Sequence, residues 1–149
     1  MPIARAECGD NELGWDSDRG KLRVRRPAKD VVLFVETGFL EKGFAPLITE
    51  HLDAALRDGA RPEIFVDAYD LDGYDPEVRV GSTNWLKQHH ELVRKQHMLV
   101  RSRLTKMGLS VASMTLGGVL VGHSDRATFQ REYRRAVSQS QPPPKIARS

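Results

Sequence analysis

The chain has 149 residues, 40% hydrophobic and 29% charged, close to the averages for folded soluble proteins, so neither a disordered chain nor a membrane-embedded one fits. One domain with its own core is the default at this length, burying roughly 70% of the surface that the unfolded chain exposes. The 23 basic and 20 acidic residues leave a formal charge of +3, a mixed surface that does not by itself imply nucleic acid.

Residues 1–20 are rich in Gly, Asp and Asn with little periodicity, so an irregular N-terminal arm is expected, with Leu13 and Trp15 packing back onto the body. Lys21-Leu22-Arg23-Val24-Arg25 alternates polar and apolar residues like a half-exposed edge strand, which Pro27 then stops. Val31-Val32-Leu33-Phe34-Val35 is a continuous apolar run, the pattern of a strand covered on both faces. After Gly38, the residues Phe44, Leu47, Ile48, Leu52, Ala55 and Leu56 recur at helical spacing, with Gly59 as the stop.

Ile64-Phe65-Val66 makes the next buried strand and runs into a turn carrying Asp67, Asp70, Asp72 and Asp75. Open α/β sheets keep their working surface at such strand ends. Pro76 suits the first turn of a second helix, whose stripe holds Val78, Trp85, Leu86, His89, Leu92 and Val93. Met98-Leu99-Val100 is a further short strand. The helix from Leu104 to Leu116 carries Gly108, Ser110, Ala112 and Ser113, which permit close approach to a neighbour, and Gly117 and Gly118 end it. Val119-Leu120-Val121 forms the last strand, and Ser124 or Asp125 caps a helix holding Ala127, Phe129, Tyr133, Ala136 and Val137. Residues 139–149, with Pro142, Pro143 and Pro144, are expected to form an extended, mobile tail. Strands alternating with helices specify an α/β domain over residues 21–138. Its mixed, mostly parallel sheet has about five strands and about four helices, the first two strands being the antiparallel pair.

Asp70, Asp72 and Gly73 resemble the middle of a calcium loop, but the first-ligand position holds Ala68 and the twelfth Arg79, where a bidentate Glu is needed. A looser magnesium site from Asp67, Asp70 and Asp72 stays open beside the simpler reading of helix-capping carboxylates. His89, His90 and His97 invite a metal, and His90-Glu91 begins like a zinc-protease helix. Arg94, however, stands where the second His of H-E-x-x-H must fall. His89 lies on the apolar stripe as a packed residue, while His90 is one step off it and solvated.

Gly117, Gly118 and Gly122 bracket a strand instead of joining strand to helix, so they make no dinucleotide fingerprint. Gly20-Lys21 is followed by Leu22, without the Ser or Thr of a phosphate loop. There is no G-x-S-x-G elbow, and Cys8, the single cysteine, has no evident base beside it. One cysteine also excludes an internal disulfide and a cysteine-zinc cluster, which fits a reducing cytoplasm. The acidic first 26 residues do not read as a secretory signal, and no run approaches the about 20 apolar residues of a membrane span. No catalytic constellation is recognised, so no enzyme, cofactor or metal is expected. Trp85 reads as core through its stripe, and Tyr74 as an exposed contact residue.

Three short motifs add a resemblance. Val35-Glu36-Thr37-Gly38-Phe39-Leu40 is like a strand ending in Gly-x-Leu before a first helix. Ile64-Phe65-Val66-Asp67 is like a central strand ending in Asp, and Leu116-Gly117-Gly118 precedes the last strand. On these motifs and the element order over residues 21–138, the chain resembles a STAS domain, of the sulfate-transporter and anti-sigma-factor-antagonist family, in its divergent SpoIIAA-like or STAS/SEC14-like form. The resemblance implies a non-enzymatic protein-interaction module of bacterial signalling.

Anti-sigma-factor antagonists carry Asp-Ser-Ser-Gly at the start of the second helix, where a kinase phosphorylates one serine to break partner binding. The matching place here reads Tyr74-Asp75-Pro76-Glu77-Val78, and no hydroxyl follows Asp75 until Ser82 and Thr83, so that switch is not expected. The expected docking surface is the acidic turn and following helix: Asp70, Asp72, Tyr74, Asp75, Glu77, Arg79 and Lys87. The alternative is a carrier or sensor of a small apolar ligand, held between sheet and helices in a cavity lined by Met107, Met114 and Phe129. A nucleic-acid partner is not expected, and a homodimer stays open.

Overall fold

The computed structural model describes residues 2–57 and 61–140, so the stop assigned to Gly59 and the Pro142–Pro144 stretch of the tail lie outside the described residues. Among them, eight strands form one sheet: β1 (Ala4–Ala6), β2 (Glu12–Asp16), β3 (Gly20–Ala28), β4 (Val31–Leu40), β5 (Glu63–Asp67), β6 (Leu71–Tyr74), β7 (Lys95–Leu99) and β8 (Leu120–His123). The order is β1-β2-β3-β4-β5-β7-β8, with β6 pairing the far end of β4. The first four strands run antiparallel, whereas β4, β5, β7 and β8 are parallel.

The sheet is larger than the expected five strands for two reasons. First, residues 4–16 are not irregular. Leu13 and Trp15 alternate with polar residues and pair with Val24 and Leu22 of β3, a strand signal that the neighbouring glycines and aspartates mask. β3 is therefore an interior strand, and Pro27 does not end it. The ring sits where the β3–β4 register shifts between Arg25 and Ala28, beyond the last β2 partner, so its missing N–H breaks no β2 ladder bond. Second, part of the acidic turn is a strand. β6 pairs parallel with β4 through Gly38↔Leu71, Phe39↔Gly73 and Leu40↔Tyr74, and its period of two points Asp72 and Tyr74 to solvent.

Gly38 lets β4 pass close to the start of β3. Its φ is +75°, and a Cβ there would lie 2.4 Å from the Arg19 carbonyl oxygen, so both conformation and space demand glycine.

Among the described residues there are four α-helices: α1 (Phe44–Arg57), α2 (Pro76–His89), α3 (Arg103–Met114) and α4 (Arg126–Ser138). Alternate β4 residues divide the molecule into two layers. Val32 and Phe34 join Ile48 and Leu52 of α1 and Val78, Trp85 and Leu86 of α2 in the larger core. Val31, with Phe65 and Leu99, packs instead against Phe129 and Ala136 of α4. Asp125 caps α4, its carboxylate accepting the N–H groups of Ala127 and Thr128.

Two helix details depart from expectation. α2 stops at His89 and passes into a 3-10 turn, His90–Leu92, which leaves Leu92 half-exposed instead of on the inner stripe. The small residues of α3 do not pack closely against a neighbour: Gly108, Ser110 and Ala112 are exposed, and only Ser113 of the four is buried. Its hydroxyl accepts the Leu120 N–H at 3.2 Å. Among the described residues, no helix is long and apolar enough to cross a membrane.

Candidate functional site

A cavity of about 550 Å³ opens between the sheet and helices α1 to α3. Inward residues of the parallel strands, Phe34, Val66 and Met98 among them, form its floor, while Leu52, Leu86 and Leu109 come from the helices. Space remains because several lining positions are small: Ala68, Gly73, Ser82, Ser102 and Ala112 leave gaps that larger side chains would close. The rim is polar, with Asp72, Tyr74, Arg79 and Arg101 around it. Asp72 and Arg101 approach within 3.7 Å across the opening between β6 and the segment after β7.

Glu36 stands at the inner wall. It follows Val32 and Phe34 at a period of two on β4, so it points into the same layer, and only 8% of it is exposed. Its carboxyl makes no hydrogen bond or ion pair with the described residues. Burial, reinforced by nearby Asp67, pushes its carboxyl up to about 7. Strand parity was the signal that could have found Glu36, which stands two residues after Phe34 on the same face of β4.

The opposite layer holds a second polar group that the sequence reading missed. Glu63 opens β5 and is fully buried; its Oε2 lies 2.7 Å from His97 Nε2 and accepts from the Arg135 guanidinium at 2.6 Å. His97 Nδ1 lies 2.9 Å from His123 Nε2. Phe65 stacks on the His97 ring at 4.4 Å and 3°. Burial alone would raise the Glu63 carboxyl, but the hydrogen bonds from His97 and Arg135 outweigh it and hold the group below its ordinary value. Burial, then the neighbouring His97, lowers His123. These three residues lie 34 and 26 positions apart, and only the β5–β7–β8 register brings them together. Since Arg135 belongs to α4, the group fastens that helix to the sheet.

Six of the seven residues expected to dock a partner reach solvent. Asp70, Asp72, Tyr74, Glu77, Arg79 and Lys87 are all exposed. Asp75 is half-buried and does not cap α2; its Oδ2 accepts the Lys42 N–H at 2.7 Å, tying the start of α2 to the approach to α1. On the outer face of α2, Glu77, Val80, Asn84 and Lys87 follow one another at helical spacing, all exposed.

The expected ligand-lining residues lie elsewhere. Met107 and Met114 are 64% and 82% exposed on the outer side of α3, because Leu109 and Ala112 take the inward positions. Phe129 is buried, but across the sheet, edge-on to Phe65. The three histidines are likewise separated: His89 packs on Trp85, His90 lies in the 3-10 turn, and His97 is in the other layer. Trp85 is core as expected, its indole N–H donating to Asp53 at 2.7 Å. Asp67 is held by Arg126 at 2.8 Å, and no group of three metal-ligating side chains occurs among the described residues. Asp67, Asp70 and Asp72 therefore do not converge on a magnesium ion.

No family model matches the chain, and no curated protein matches it. Several solved structures are similar in fold. One is an uncharacterized protein of the DUF3478 family with a SpoIIAA-like fold from Shewanella loihica PV-4. It is 17% identical with a TM-score of 0.62, and the alignment covers 78% of this chain and 97% of that one. Another is the Bacillus cell fate determinant SpoIIAA in its phosphorylated form, 14% identical with a TM-score of 0.56, covering 74% of this chain and 98% of that one.

Proposed function

Since the chain has a SpoIIAA-like, STAS-type α/β fold, we propose that it is a non-enzymatic protein-interaction module of bacterial signalling type, docking a partner protein through β6 and the outer face of α2. The observation that carries this reading is the exposure of Tyr74 and Val80, 41% and 46%, amid the carboxylates Asp72 and Glu77. A half-exposed tyrosine and an aliphatic residue offer apolar contact at low entropic cost, and a charged rim sets orientation and encounter rate. The fitting partner presents an apolar socket for Tyr74 with basic groups beside it.

Docking of this kind is constitutive. The α2 start reads Asp75-Pro76-Glu77-Val78, so no hydroxyl stands there to take a phosphate. Glu77 already supplies fixed negative charge in the first turn, where the helix dipole favours it.

The test is photo-crosslinking in the native cells, with a crosslinking side chain placed at Tyr74, at Val80, at Met107 on α3, and at Arg134 on α4 as a control. A discrete protein adduct from positions 74 and 80 alone supports the reading. An adduct from position 107 instead would transfer docking to the exposed Met107, Val111 and Met114 face of α3, and the β6–α2 reading would fall.

A further inference from the structure

The cavity shares its rim residues Asp72, Tyr74 and Arg79 with the proposed docking surface, but its inner wall lies apart from it. Two buried carboxylates occupy the two layers in opposite circumstances. Glu63 is enclosed by His97, Arg135 and Arg94. Glu36 is nine-tenths buried at the cavity wall with no hydrogen bond or ion pair to the described residues. Its carboxyl lines the cavity, where a bound donor can reach it, and the inward positions before it, Val32 and Phe34, are apolar.

The geometry points to a binding site for a small, mostly apolar molecule with one hydrogen-bond-donating head group, an amine or a hydroxyl, that bonds the Glu36 carboxylate. Three features set this chemistry. The volume of about 550 Å³ lies inside the range of about 300–1,000 Å³ typical of small-molecule sites. The walls are largely apolar, which favours a ligand body without charges. The remaining charged lining residues, Asp72, Arg79 and Arg101, stand at the rim, where Asp72 and Arg101 face each other. The donor head therefore goes inward to Glu36, with Gln96 as the other polar side chain on the parallel-strand floor.

Binding of a donor favours the ionised carboxylate, so affinity rises as Glu36 loses its proton. The titratable groups around Glu36 are Asp67 of β5, already paired with Arg126, Tyr69, the rim residues Asp72 and Tyr74 on β6, Arg79 of α2 and Arg101 after β7; the α1 residues lining the cavity, Ile48 and Leu52, are apolar.

The experiment titrates 1-aminoanthracene, an apolar aromatic amine, into the full chain carrying methyl-13C methionine. The expected result is saturable binding in which the Met98 methyl, on the cavity floor, shifts while those of exposed Met107 and Met114 do not. Glu36→Leu weakens the amine at least about tenfold and leaves 2-methylanthracene, which has no donor, bound as before. Should Glu36→Leu not fold, Glu36→Gln carries the test. The wild-type chain binds the amine more tightly at about pH 8 than at about pH 6, and this dependence vanishes in the variant. Absence of saturable binding, shifts at Met107 or Met114 in place of Met98, or a foldable Glu36 variant with unchanged affinity and pH dependence would each overturn the site.

Discussion

His97 and His123 share a hydrogen-bonding contact of 2.9 Å across two parallel strands, while the other nitrogen of His97 faces Glu63 at 2.7 Å. All three side chains are buried, so each depends on the others for polar contacts that water cannot supply. Removing the charge at the end of the row, as in Glu63→Gln, leaves Arg135 and His97 without their anion. The expected loss of stability is roughly 3 kcal/mol, read by urea unfolding at neutral pH.

The same row predicts acid sensitivity. His123 titrates below its ordinary 6.5 in the folded chain, so unfolding takes up a proton as the pH falls below that value, and its contribution to stability is lost there. Glu63 titrates below its ordinary 4.5; its contribution is complete above 4.5 and disappears as the pH falls through the folded value. Replacing His123 with Phe should flatten the acid limb of the stability profile just below pH 6.5, which thermal unfolding across the pH range will detect.

Glu36 acts with the opposite sign. Its folded carboxyl is raised from 4.5 to about 7, so the folded state holds a proton that the unfolded state has released, and stability falls as the pH rises between these values. Glu36→Gln removes that slope. Relative to wild type, the variant should gain up to about 3 kcal/mol between acid and mildly alkaline conditions, in the absence of ligand, with most of the gain accruing between pH 4.5 and 7.

Gly38 and Gly118 separate conformational strain from collision. Both have φ of +75°, but a Cβ on Gly38 would meet the Arg19 carbonyl oxygen at 2.4 Å, whereas one on Gly118 meets nothing within 4 Å. Gly118→Ala should cost about 1 kcal/mol. Gly38→Ala should cost at least about 2 kcal/mol, since backbone must also move, and the difference in melting temperature measures that added cost.

Legibility in the sequence followed the strength of the local pattern. The α1 stripe from Phe44 to Ala55 and the apolar run Val31–Val35 read clearly because burial there is periodic or continuous. β2 was hidden because Gly14 and Asp16 carry turn composition, although Leu13 and Trp15 keep strand parity. β6 is only four residues long, and its pairing to β4 depends on tertiary contact. The docking residues were placed by their position after β5, and most do reach solvent. The ligand residues were not, because the rotation of α3 about its axis decides whether Met107 or Leu109 faces the sheet. Local spacing carried no information about the His97–His123 contact, which a parallel register creates.

The most direct measurement of the docking claim is native mass spectrometry of the chain isolated gently from its own cells, wild type beside a Tyr74→Ala, Val80→Asp double variant. Both substitutions are at exposed positions, so stability should stay within about 0.5 kcal/mol of wild type. The account predicts a protein-sized added mass on the wild-type chain that is absent from the variant. The same added mass on both chains, or a bare wild-type chain, would contradict docking through β6 and α2.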